Sequence, residues 1–194
     1  MQDTDWISGD LREAQQVLAD FIAAGGEKPI AAAIELMAAS LRAGGHIYSA
    51  GNGGSMCDAQ HFAEELTGRY RLERASLGAQ AICDPSHLTC VGNDYGFEAV
   101  FARYLRGMGR AGDVFLGIST SGNSRNIIAA CEACEELGLK RVLLLGKDGG
   151  ALKARGDVVI IVPHHGFADR IQEVHTLIIH IMIRGLERAL TGAS

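Results

Sequence analysis

Two stretches of this chain carry side chains able to bind a metal ion and move protons. His61 and Glu65 are four residues apart in a segment with helical periodicity, so they project from one face, one turn apart. Glu64 is close enough to compete, and spacing does not choose between the two carboxylates. Far along the chain, Asp169, Gln172, His175 and His180 interrupt an apolar run made by Ile171, Leu177, Ile178, Ile179, Ile181 and Met182. Asp169 and His180 are eleven residues apart, close to whole helical turns, and Gln172 lies near that face. A histidine in so apolar a stretch has to be hydrogen-bonded or a ligand, because an unpaired buried imidazole is costly. Two histidines, a carboxylate and an amide oxygen suit a tetrahedral zinc ion. For any one of these histidines alone, a core imidazole bonded to backbone is the commoner arrangement.

Two loops have the chemistry of an anion cradle. Ser119-Thr120-Ser121-Gly122-Asn123-Ser124 sets hydroxyls, an amide and a glycine directly before a helix. Helix N-termini offer unpaired N–H donors at the positive end of the dipole. Gly51-Asn52-Gly53-Gly54-Ser55 places three glycines where the backbone must turn tightly or approach a ligand. Neither loop is a Walker or G-x-G-x-x-G motif, and each alone reads as ordinary turn or capping chemistry. Together at one sheet edge they point to an anionic small molecule.

The elements that position these residues alternate between helix and strand. Helical spacing runs over 11–23 and 29–41, with a stop at Gly44-Gly45. Strands are expected at 46–50, 79–83, 113–118, 141–145 and 158–162. Helices are expected at 58–66, around 86–91, at 97–108, at 126–137 and from about 169 to 190, with Gly92-Asn93-Asp94-Tyr95-Gly96 as a loop. Such alternation predicts an α/β fold with a mainly parallel sheet. Right-handed crossovers then bring both loops to the carboxyl edge of the sheet, where ligands bind in such folds. The reading is one domain over 1–194, with an N-terminal helical extension over about 1–44.

Formal net charge is −5, and no basic face or like-charge run offers a nucleic-acid surface. Cys57, Cys83, Cys90, Cys131 and Cys134 are odd in number and lack disulfide-framework spacing, which reads as reduced structural thiols. The opening MQDTDWISGD has no basic n-region or apolar run, so it does not read as a signal peptide. No apolar stretch approaches the length of a membrane span. A cytoplasmic location is expected.

Taken in order, GNGGS(55), the run from Asp58 to Arg69 (DAQHFAEELTGR), Val91 to Phe97 (VGNDYGF), Gly117 to Ser124 (GISTSGNS), and Ala168 to Glu173 (ADRIQE) with His180 resemble the phosphoheptose isomerase family of the sugar isomerase (SIS) fold. The resemblance runs from about residue 10 to about residue 190. It implies a flavodoxin-like three-layer sandwich, assembled as a homotetramer with active sites between subunits. It implies one Zn2+ per subunit on His61, Glu65, Gln172 and His180. It implies substrate contacts at Asn52, Gly53, Gly54, Glu65, Asn93, Asp94, Ser119, Thr120, Ser121, Ser124 and Gln172. The reaction it implies converts D-sedoheptulose 7-phosphate to D-glycero-D-manno-heptose 7-phosphate through an enediol, the first step toward the heptose of bacterial lipopolysaccharide and other surface polysaccharides. Glu65 is then the expected base and His180 the expected acid.

Other enzymes of this fold, arabinose 5-phosphate and hexulose 6-phosphate isomerases, are disfavoured by the His61, Glu65, Gln172 and His180 set. A non-enzymatic SIS protein, like the partner of the bacterial replication initiator, lacks those metal ligands. A sugar-phosphate sensor fused to a DNA-binding domain needs more chain than this.

Overall fold

The computed structural model describes residues 4–192. Residues 1–3 and 193–194 of the expected 1–194 domain, including the start of the segment read for a leader, lie outside the described residues. In chain order the elements are α1 (Asp5–Ala23), α2 (Glu27–Arg42), β1 (Ile47–Ala50), α3 (Gly54–Thr67), β2 (Ala79–Ala81), α4 (Pro85–Tyr95), α5 (Val100–Met108), β3 (Val114–Ser119), α6 (Arg125–Leu137), β4 (Lys140–Gly146), β5 (Val158–Val162) and α7 (Ala168–Thr191). Short 3₁₀ turns at Phe97–Ala99 and Gly150–Ala154 fill two of the connections.

All strand pairs are parallel, and the sheet order is β2-β1-β3-β4-β5. That is the flavodoxin-like order, whose ligand crevice opens where the winding reverses, between β1 and β3. Strand pleating divides the core accordingly. Val114, Leu116 and Ile118 join Ile47, Val142 and Leu144 in a cluster covered by α1, α2, α3 and α7. Phe115 joins Tyr48, Leu143 and Leu145 in a second cluster covered by α4, α5 and α6. Every residue of β3 is buried, which explains its nearly continuous apolar composition. No described helix is long and apolar enough to cross a membrane.

Three boundaries differ from the sequence expectation in ways that matter for the site. Helix α3 begins at Gly54 rather than Asp58, so the end of the glycine loop is already its first turn. Helix α4 runs to Tyr95, which makes Asn93 and Asp94 helical instead of loop residues. Its start is fixed by Pro85 at the first helical position and by Asp84, whose carboxylate accepts from the His87 N–H at 2.8 Å. With that start secured, Gly92 is tolerated inside, and the helix stops only at Gly96, where φ is +87°. Helix α1 extends back to Asp5, six residues before the first residue of the expected helix.

Candidate active site

The glycine loop leaves β1, and the Ser119–Ser124 loop leaves β3, so the two loops flank the reversal point of the sheet. Helix α3 then covers one face and α6 the other. Across this crevice the amides of Asn52 and Asn126 bond reciprocally, at 3.0 Å from Asn52 Nδ2 to Asn126 Oδ1 and 2.8 Å in return. Gly53 makes its turn at φ +55°, ψ −125°, which a side chain rarely allows. In the second loop, the Ser119 and Ser124 hydroxyls are 2.9 Å apart, and Ser121 Oγ accepts from the Asn123 N–H at 3.2 Å. Gly122 sits at φ +66°, and a Cβ there would fall 2.1 Å from the Gly149 carbonyl oxygen. Neither loop contains Lys or Arg. An anion here would be met by hydroxyls, amides and the N-termini of α3 and α6.

Helices α3 and α7 run side by side and meet residue by residue along one seam. At its start, a Cβ on Gly54 would lie 2.7 Å from both amide atoms of Gln172, so only glycine admits that side chain so close. One turn on, the Thr176 hydroxyl lies 2.8 Å from Asp58 Oδ1. Burial pushes the Asp58 carboxyl above its usual range, opposed by the Thr176 bond and by nearby His61 and His180. Another turn on, His61 Nε2 and His180 Nε2 are 2.8 Å apart, with the rings edge to face at 80°. Glu65 Oε1 lies 3.9 Å from His61 Nε2, and Glu64 Oε1 lies 3.7 Å from His61 Nδ1. Tyr70 stacks on the other side of His180, with ring centroids 5.9 Å apart at 24°.

The structure therefore sets His61 at the centre, with His180 against it from α7 and Glu64 and Glu65 beside it on α3. The ligand atoms of His61, Glu64 and Glu65 all lie within 4.8 Å of one another. Nitrogen and carboxylate donors of this kind fit zinc. Two imidazole nitrogens on a tetrahedral zinc, at Zn–N bonds of about 2.0–2.1 Å, would stand about 3.3 Å apart, so the rings, now at 2.8 Å, would have to part slightly to admit it. Gln172 shares the α7 face, but its amide rests on Gly54 at the start of the seam. Asn93 and Asp94 are exposed at the end of α4, where Asn93 Nδ2 donates to Asp94 Oδ1 at 2.8 Å. Their side chains bond each other and not the two loops.

His175, one of the polar intruders of the apolar run, points away from the seam into the core. Its Nε2–H donates to the Leu145 carbonyl at 3.0 Å, and burial drives its pKa down to about 4. Asp169 is exposed in the first turn of α7 and accepts from the Arg170 N–H. Cys131 and Cys134 are fully buried in α6, and burial pushes the Cys131 thiol up to about 12 and Cys134 higher still. Neither provides a thiolate. Asp58, Thr176, Tyr70 and Asn126 were not among the sequence candidates. Thr176 had a signal, since 172, 176 and 180 continue one helical stripe. Tyr70 lies in an irregular segment with no period to read.

A parallel sheet in the order 2-1-3-4-5, with two small-residue loops at its reversal point, is the architecture of a SIS domain. The family model of the SIS domain matches residues 11–146. Phosphoheptose isomerase of Tolumonas auensis is 58% identical over 185 residues, covering 95% of this chain and 96% of the relative. Among solved structures, phosphoheptose isomerase from Francisella tularensis superposes with a TM-score of 0.91 at 35% identity, over 97% of this chain and 100% of that one. The Neisseria gonorrhoeae phosphoheptose isomerase gives 0.86 at 42% identity, over 95% and 98%. The chain belongs to the phosphoheptose isomerase family of SIS-domain proteins.

Proposed function

We infer that the chain is an aldose–ketose isomerase interconverting D-sedoheptulose 7-phosphate and D-glycero-D-manno-heptose 7-phosphate through an enediol. The observation that carries this reading is that α3 holds both halves of such a site. Anion donors surround Gly53 and Gly54 at its N-terminus, and the His61, Glu65 and His180 cluster lies seven residues further on, about 10 Å along the axis. A substrate phosphorylated on C7 and reacting at C1 and C2 needs its anion site and its proton-transfer groups at opposite ends. Binding of the remote phosphate can then hold the reacting carbons in place.

In this reading Asn52, Gly53, Gly54, Ser119, Thr120, Ser121 and Ser124 hold the phosphate end. Gln172, Asn93 and Asp94 take sugar hydroxyls. Glu65, half-buried beside His61, removes the proton from C1, and His180 protonates the carbonyl oxygen at C2. Return of the proton to C2 and loss of the C1 hydroxyl proton complete the aldose. Tyr70 restrains the His180 ring from behind. Zinc on His61, Glu65 and His180, joined by Gln172 once its amide turns from Gly54 toward them, would supply Lewis-acid polarisation of the substrate oxygen, one ion per subunit. A carboxylate held by a cation is a weaker base, so Glu65 serves as base only through an oxygen left free.

Exposed apolar side chains on α1 and α7, including Trp6, Leu11, Leu177 and Ile181, support self-association. A homotetramer with sites between subunits is the assembly proposed. A sugar-phosphate substrate places the work in the cytoplasm, feeding heptose to lipopolysaccharide or another surface polysaccharide. The non-enzymatic alternative is not favoured, since the donor set that such a protein lacks is complete in this chain.

Isomerisation in D2O tests the proton-transfer route. Solvent deuterium at C2 of the aldose product is the expected result. A product still free of deuterium after many turnovers to equilibrium would contradict the enediol route and the role of Glu65 as base.

A further inference from the structure

The last four carbonyls of a helix lack partners among its own residues, and in α3 each of the four finds one in the chain that follows. Glu64 O accepts from the Gly68 N–H at 2.7 Å, and Thr67 O from the Ser76 hydroxyl at 2.7 Å. Arg74 reaches both carbonyls between them, of which Leu66 O also accepts from the Leu77 N–H at 3.0 Å. Arg74 Nη2 donates to Glu65 O at 2.7 Å and its Nη1 to Leu66 O at 2.9 Å. This guanidinium is almost fully buried, with its side chain 3% exposed, and forms an ion pair with Glu187 at 3.3 Å from Nε to Oε1. Glu187 is 1% exposed and also takes the backbone N–H groups of Arg71 and Leu72, at 3.3 to 3.4 Å.

The two ends of this clamp grip the two working helices. Arg74 holds the carbonyl of Glu65 itself, and Glu187 stands on α7 seven residues after His180, two turns along the same face. The segment from the end of α3 to Arg74 carries Tyr70, stacked on His180. Burying such a pair brings little net stability, because desolvating two charges offsets their attraction. A planar guanidinium that caps two carbonyls while facing a carboxylate does, however, fix geometry in a way an apolar contact does not.

We propose that Arg74 and Glu187 are positioning residues that set Glu65 against His180. This rests on the isomerase reading above. Neither residue touches the substrate. Their effect runs through the axial register of α3 on α7, and so through the approach of His180 to His61 and Glu65, which share α3.

The test uses the full chain with two variants, Arg74→Met/Glu187→Leu and Arg74→Lys. The first replaces the ion pair by apolar side chains, a change that often leaves stability intact. The second keeps a charge but loses the planar pair of donors. Tm, zinc affinity of the metal-free protein by chelator competition, and kcat and KM for sedoheptulose 7-phosphate are measured together. Expected are a folded protein, a KM within about threefold of wild type, and kcat and zinc affinity each lower by about tenfold or more, as for other residues that orient metal ligands. If the double variant does not fold, Arg74→Lys carries the same comparison. Folded variants with kcat and zinc affinity within about twofold of wild type would overturn the proposal and leave the pair as a brace. Glu65→Gln runs alongside. Retained turnover there sinks the isomerase role of Glu65, whereas lost turnover with unaffected Arg74 variants sinks only the positioning role.

Discussion

His61 and His180, 119 residues apart in sequence, present their Nε2 atoms to each other at 2.8 Å. At that distance one ring donates and the other accepts, so at most one proton lies between them. A cation can take the place of that proton, and the Glu65 carboxylate is at hand to neutralise it. Replacing either histidine by Gln should therefore lower zinc affinity by about tenfold or more. Both rings are half-buried at a helix seam, so the metal-free variants should stay folded. Metal content after gel filtration, read beside Tm, checks this. Variants that keep stoichiometric zinc would move the metal elsewhere.

Gly54 separates binding from folding. It is the first residue of α3 and has no positive φ, so its backbone admits an alanine. The added Cβ would collide only with the flexible end of Gln172, 2.7 Å away. Gly54→Ala should thus leave Tm within a few degrees while displacing Gln172 and raising KM for the sugar phosphate severalfold. Steady-state kinetics with thermal melts would show it, and an unchanged KM would remove Gln172 from the substrate site.

His175 makes stability depend on pH. Its pKa falls from 6.5 in the unfolded chain to about 4 in the core. Between those values the unfolded state binds more protons, so stability is lost as pH falls through that window. At about 1.4 kcal/mol per unit, this one group accounts for a few kcal/mol at most. Melting the wild type and His175→Gln from pH 7 to pH 4 should give a shallower decline for the variant. Parallel curves would mean that His175 is not the group responsible.

Much of this architecture was legible because its signals are local. The apolar runs at Val158 to Val162 and around Leu116 read as strands, and α6 ends at Leu137 as expected, stopped by Gly138 at φ +75°. Pairing His61 with Glu65 needed only helical spacing. Bringing His180 to them needed the packing of α3 on α7, which spacing within either helix does not encode. The extent of α4 was misread because Gly92 and Gly96 look alike in sequence, while only Gly96 adopts a positive φ. Arg74 and Glu187 gave no signal at all, since an arginine in an irregular segment and a glutamate on a helix are ordinarily solvent-exposed.

The central claim is most directly tested by incubating purified protein with sedoheptulose 7-phosphate before chelation, after chelation, and with zinc restored. The account predicts formation of the aldose heptose 7-phosphate, its loss on chelation and its return with zinc. Folded, zinc-loaded protein that forms no aldose would contradict it.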